Sequence, residues 1–390
     1  MKERISLGHF LAGEELSHLN KMIELFNQES RFLEVIPQLV SPDEEGMLEK
    51  IIDLYKSKIA PTLSTMYAEK IAKLAKLEII VPLDDFIKET EEFNISDFPE
   101  NLFETVTYKN KIWGIPLIEA NPYGLFCNLE LFKEAGIKSP PVNWEELEEY
   151  SRILTKAKDG KLINQWGYTQ CSFQYPLLLW QNNGEILDKE NKKILFNSPE
   201  GVETLQFYVN LRSKYSPPHV DFERGDVGMK LGIVQNIPRY KGIKFTVAPL
   251  PFKKRRANSF GGSKSAHSFV ILNQEISKQK LAWEFIKWWI RDENYLRWCI
   301  STNYIPLKKS VTQDERYQEH LKKNPLLLSF LEEIPFCKAR PCIPNYPEIK
   351  FILNNAVNFL REKEIVKKEE IKRCLDTYAK QAQQLLLKDE

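Results

Sequence analysis

The chain has 390 residues, 43% of them hydrophobic and 12% aromatic, a composition that excludes wholesale disorder and allows one large core or two ordinary ones. With 55 Lys and Arg against 54 Asp and Glu the net charge is +1, which excludes the clustered basic excess of a dedicated nucleic-acid binder. No apolar run approaches the roughly 18 residues of a membrane-spanning helix, and MKERISLGHF lacks the signal segment of about 7–15 apolar residues, so the chain is expected to be cytosolic or to begin after a removed leader.

In chain order, ERISLGHFL alternates as a strand, and Leu16, Leu19, Ile23 and Phe26 follow at helical spacing. FLEVIPQLV reads as a second strand. Ser41-Pro42-Asp43 then starts a helix carrying Met47, Ile51, Leu54 and Tyr55. APTLSTMY is a third strand and EKIAKLAKLEIIVPL a helix running into a loop, which completes a β-α-β-α-β pattern and predicts a parallel or mixed sheet with helices on its faces. Lys109-Asn110-Lys111 is a hairpin turn before IWGIPLI, where Pro116 predicts that the strand ends or changes partner within a residue or two.

The next segment, EANPYG at 119–124, joins a carboxylate, an amide, a proline and an aromatic ring between two apolar strands. Such a polar joint predicts a connection between two lobes. Beyond it, LFCN reads as a strand, LELFKEAG and PPVNWEELEEYSRIL as helices, QWGYTQ as a strand, and YPLLLWQNNG and PEGVETLQFYVNLRSKY as helices. From residue 245 a strand, a loop and a strand precede one strong helix, KQKLAWEFIKWWIRDENYLRWCI, whose Trp283, Phe285, Ile286, Trp289 and Ile290 are expected to face the core. The basic run Lys253-Lys254-Arg255-Arg256 is expected to be a solvated turn.

Catalytic constellations are weak. A hydrolase needs two positioned carboxylates, and Asp84, Asp85 and Glu119 have no pairing motif. Cys127 and His267 fall in separate apolar strands rather than in a nucleophile-base arrangement, and five scattered histidines show no metal spacing. No cofactor or metal site is expected. Cys337 and Cys342 in CKARPC leave open either a disulfide or two thiols.

Five stretches carry a resemblance: LAKLEIIVPLDDFI, TVTYKNKIWGIPLIEANPYGLFCNLELFKEAGIKSPPVNWEEL, VAPLPFKKRRANSFGGSKSAHSFVI, AWEFIKWWIRDENYLRWCISTNYIPLKKS and ARPCIPNYPEIKFILNNAV. In this order the chain resembles the family 1 extracellular solute-binding proteins, the maltose-binding-protein-like sugar receptors of ATP-driven (ABC) importers. The resemblance implies an α/β, two-lobed periplasmic-binding-protein-like (type II) fold, with mixed sheets flanked by helices and three interlobe crossings near 118–124, 260–266 and 310–318. Residues 1–120 and 262–312 would form the N-terminal lobe, and 121–261 and 313–390 the C-terminal lobe. It further implies a monomer, outside the cytoplasm as a periplasmic protein or cell-surface lipoprotein, that closes about the crossings on a sugar and presents it to a membrane permease.

Sugars offer directional hydroxyls and flat C–H faces, so amides, carboxylates and aromatic rings suit them. At the first crossing Glu119, Asn121 and Tyr123 have those chemistries; at the second, Gly261 and Gly262 allow close backbone approach and Ser263 adds a hydroxyl. By position in the family, His9, Phe10, Thr65, Met66, Tyr67, Phe173, Gln174, Trp180, Gln181, Tyr304 and Tyr346 are the other candidates. The family's Gly-Ser-Trp after an apolar strand is absent, with Gly232, Val234 and Gln235 in the corresponding VGMKLGIVQN, which keeps a smaller or more polar ligand open. The alternatives are a carbohydrate-active hydrolase with a carboxylate pair and a receptor for a non-sugar polar solute.

Overall fold

In the computed structural model, which describes residues 2–158, 161–162, 165–169, 174–216, 222–261, 266–361, 363 and 366–387, the chain forms two compact units. The first comprises residues 1–121, 264–325 and 339–346, and the second 122–263, 326–338 and 347–390. The chain therefore passes between them after residues 121, 263, 325, 338 and 346. This division differs from the expectation that everything beyond residue 312 joins the second lobe. Tyr317 and Leu321 of the Glu315–Lys323 helix are buried, and Arg316 pairs with Glu293 at 2.6 Å, which keeps 313–325 with the first unit.

The first unit is built on a five-stranded mixed sheet in the order Leu33–Leu39, Glu3–His9, Leu63–Tyr67, His267–Ile271, Ile115–Glu119. The first three run parallel and His267–Ile271 runs antiparallel to both of its neighbours. Pro116 is tolerated because its strand lies at the sheet edge, where a missing donor breaks no inner ladder. The preceding hairpin closes through Lys109 and Asn110, both at positive φ (49° and 58°), which matches the twist of the two short strands it joins. Leu19, Met22, Ile23 and Phe26 form the buried stripe of the Gly13–Glu29 helix, and Phe26 meets Phe285 edge-on at 5.0 Å.

The run expected as one helix from 278 to 300 is two, Ile276–Ile290 and Asp292–Thr302. Arg291 leaves the helical region (ψ 138°), and Asn294 caps the break by donating to the Trp288 carbonyl at 2.8 Å. Apolar periodicity continues through this corner, so the sequence pattern conceals it.

The second unit carries a four-stranded mixed sheet in the order Trp166–Thr169, Val227–Gly232, Gly124–Asn128, Phe245–Ala248. Its core includes Leu125, Cys127, Phe132, Leu147, Tyr168, Met229 and Leu231. One polar network ties together segments beside three of the passages. Asn258 accepts from the Tyr123 amide (3.0 Å) and donates to the Tyr123 carbonyl (2.8 Å), while Glu333, 1% exposed, accepts from Asn258 Nδ2 (2.9 Å), Arg256 (2.8 Å) and the Leu250 amide (3.1 Å). Asn258–Ser259 and Cys337–Lys338 pair as a two-stranded parallel ribbon alongside.

The basic run is more than a solvated turn. Lys253 and Lys254 pair with Glu203, Arg255 with Glu185 at 2.8 Å and Arg256 with Glu333, so all four cations are committed to carboxylates. Cys337 and Cys342 are both buried reduced thiols. Among the described residues no helix is long and apolar enough to cross a membrane, and no group of three His, Cys, Asp or Glu side chains is arranged to hold a metal.

Candidate binding site

In the first unit the candidate residues gather at one end of the sheet. Tyr67 closes the Leu63–Tyr67 strand and is the direct cross-strand partner of His267, which in turn is the partner of Glu119. Cross-strand partners share a face, so phenol, imidazole and carboxylate form a row. The Tyr67 and His267 rings stack at 4.7 Å, and Phe10, just beyond the first strand, lies 5.4 Å from Tyr67 and 5.0 Å from His267. Thr65 shares the face of Tyr67 by strand alternation, whereas Met66 between them is buried on the other. His9 is buried at the end of its own strand, and that burial pushes its imidazole below the usual range, toward the neutral form.

Two residues past Glu119, Asn121 is completely buried and accepts from the Ile305 amide at 2.8 Å. That bond fixes the amide plane and leaves Nδ2 without a partner. Thr65 Oγ1 is likewise fully buried and unpartnered. Most buried polar atoms are hydrogen-bonded, so these two are exceptions within the first unit's sheet end. Tyr304 donates to Glu15 at 2.5 Å, which ties the first turn of the Gly13–Glu29 helix to the loop that holds Asn121. Tyr67 is held well above the usual phenol range, first by burial and then by the charges of Glu119, Glu44 and Glu15. Tyr346 is buried beside the Arg340–Glu69 ion pair of 3.7 Å.

In the second unit, Gln174 is 2% exposed and its Oε1 has no partner. Trp180 is buried with the Lys338 amine 5.3 Å over its ring. Gln181 is engaged at both ends, accepting from Trp144 Nε1 (3.1 Å) and donating to the Ala257 carbonyl (3.2 Å). Tyr123 belongs to the hydrophobic core, and Gly261 sits at φ +73°, a conformation that favours glycine. Phe173, Gly262 and Ser263 lie outside the described residues.

His267, Glu15 and Glu44 were not among the sequence candidates as binding residues. The signal for His267 lies only in the antiparallel register that sets it between Tyr67 and Glu119. The hydrolase groupings fare differently: Asp84 accepts from the Ile112 amide at 3.1 Å and holds the hairpin, and Cys127 and His267 lie in the sheets of different units, the thiol driven far up by burial.

The family model described as bacterial extracellular solute-binding protein matches residues 21–325. A binding protein of Brucella abortus is 25% identical over 300 residues, covering 72% of this chain and 69% of its own. The sn-glycerol-3-phosphate-binding periplasmic protein UgpB of Escherichia coli is 24% identical, covering 98% of this chain and 92% of its own. The cyclic alpha-maltosyl-1,6-maltose binding protein from Arthrobacter globiformis has a similar structure, with a TM-score of 0.85 across the whole of both chains at 22% identity. With the fold similar from end to end and the family match covering most of its length, the chain belongs to the bacterial extracellular solute-binding proteins, a family of binding proteins rather than enzymes.

Proposed function

We propose that this protein is the solute receptor of an ATP-driven importer, that its solute is a carbohydrate, and that it works outside the cytoplasmic membrane. The observation that carries the reading is the end of the first unit's sheet, where the rings of Phe10, Tyr67 and His267 adjoin Glu119, and where Thr65 and Asn121 keep buried polar atoms without a protein partner. Rings suit the C–H faces of a sugar, and a carboxylate with neutral donors suits its hydroxyls. The similarity to a cyclic maltosyl-maltose binding protein supports the same class. In this reading the two units close on the solute about the passages between them, and the closed form is stabilised only as far as the solute binds it better than the open one. A membrane permease then takes delivery.

The test is a thermal-shift screen of mono- and oligosaccharides, followed by calorimetry and small-angle scattering. A true ligand at about 100 times its dissociation constant adds roughly 2.7 kcal/mol of stability and is recovered unchanged. Binding without compaction sinks the closure step; slow consumption of the sugar revives the hydrolase; a panel with no binder refutes the carbohydrate.

A further inference from the structure

Resting on the carbohydrate reading, we propose that the solute carries an apolar group, an alkyl or aryl aglycone, and that a separate pocket of the first unit receives it beside the sugar. The pocket lies at the ends of the Glu3–His9 and Leu33–Leu39 strands and at the start of the Gly13–Glu29 helix. Its volume is about 530 Å³, within the roughly 300–1,000 Å³ usual for small-molecule sites. Phe10 lines it and also meets Tyr67 and His267, at 5.4 and 5.0 Å, so pocket and ring cluster adjoin through one side chain. All of these residues belong to the first unit.

The lining decides the chemistry of the occupant. Leu11, Leu16, Pro37, Leu39 and Pro42 present hydrocarbon, and Leu39, on the edge strand, is 63% exposed. Covering such surface from water is favourable in proportion to its area. Polar side-chain atoms are few: His9 Nδ1 and Asn20 Oδ1, both buried and without a hydrogen bond in the chain. Burial holds the His9 imidazole toward its neutral form, so an apolar group beside it meets no charge there. The helix starts from Ala12 with no side-chain cap, which leaves main-chain donors but adds no acceptor.

A second sugar ring fits this lining poorly. It brings about three hydroxyls or more, each both donor and acceptor, and burying them against leucine and proline leaves most of them unpaired. An alkyl chain or phenyl ring needs none of those bonds, and each methylene taken from water tightens binding roughly fourfold.

The experiment is calorimetry on the full chain with methyl, n-hexyl and phenyl glycosides of glucose, galactose, mannose and maltose, in both anomers. In at least one series the hexyl or phenyl glycoside is expected to bind at least about tenfold more tightly than the methyl glycoside. Leu39→Asp, at its exposed position, and Leu16→Ala, at a half-buried one, should each shrink that ratio at least about threefold. No such gain in any series, whatever unsubstituted sugar binds, overturns the proposal and leaves the receptor reading standing. A gain indifferent to both substitutions does the same, because the apolar group then lies elsewhere. Absence of binding by every glycoside and by the whole saccharide panel refutes the carbohydrate reading, and this inference with it.

Discussion

Thr65 and Glu333 show two opposite uses of a buried polar group. Leaving a buried hydroxyl unpaired costs about 1–3 kcal/mol, and Thr65 Oγ1 has no partner at full burial. Thr65→Val should therefore leave stability within about 0.5 kcal/mol or raise it, while weakening solute binding several-fold; paired melting and calorimetry measure both. A variant that loses stability without losing affinity would make Thr65 purely structural. Glu333, by contrast, receives three donors inside the second unit. Glu333→Ala strands Asn258 and Arg256 and should cost roughly 3 kcal/mol in urea unfolding, with Glu333→Gln costing less. The polar candidates Glu119 and Asn121 were legible because they interrupt an apolar extended segment. His267 was not, because its neighbourhood is set by a register between strands some 150–200 positions apart in the chain.

Among the elements, the Trp166–Thr169 strand and the Trp144–Leu154 helix approach so closely that a Cβ on Gly167 would lie 1.9 Å from the Ser151 carbonyl oxygen. The contact is to backbone, which cannot rotate away. Gly167→Ala should destabilise the second unit by at least about 2 kcal/mol, read as a lowered melting temperature. The helix Glu315–Lys323 begins with Asp314, whose carboxylate accepts from the Arg316 amide (2.8 Å) and guanidinium (3.0 and 2.8 Å). Those bonds hold Asp314 down at about 2. Because the folded value lies below the unfolded one, near 3.9, its contribution is complete above about pH 4 and disappears as pH falls toward 2. Hydrogen-exchange protection at the first turn of this helix, corrected for the intrinsic exchange rate, should fall across that window, and Asp314→Ala should flatten that change.

The strands of the first lobe were legible because their apolar positions and turn residues agree. The corner at Arg291 was hidden because it has neither Gly nor Pro and the apolar pattern runs straight through it.

At the scale of the molecule, both units are assembled from separated stretches. The sequence conveyed a two-lobed plan through its polar joint at 119–124, but not the returns after residues 325, 338 and 346, which depend on tertiary packing rather than local pattern. In the second unit the helix Lys368–Leu386 is bound to much earlier residues, Asn197 to Asp376 (2.7 Å) and Ile194 to Gln383 (2.9 Å). Truncation after residue 325 removes that helix, Glu333 and residues 339–346 of the first unit. Such a fragment should show no cooperative unfolding transition for residues 122–263; a sharp one in calorimetry would mean that the stretch folds by itself.

The bond between Asn258 and Glu333 also has a meaning in time. A ribosome adds about 5–20 residues per second, so roughly 4–15 s separate the synthesis of Asn258 from that of the carboxylate it donates to. Throughout that interval the ends of the first two passages lack their buried anchor, and the nascent second unit remains an unfinished substrate for chaperones until Glu333 has been made.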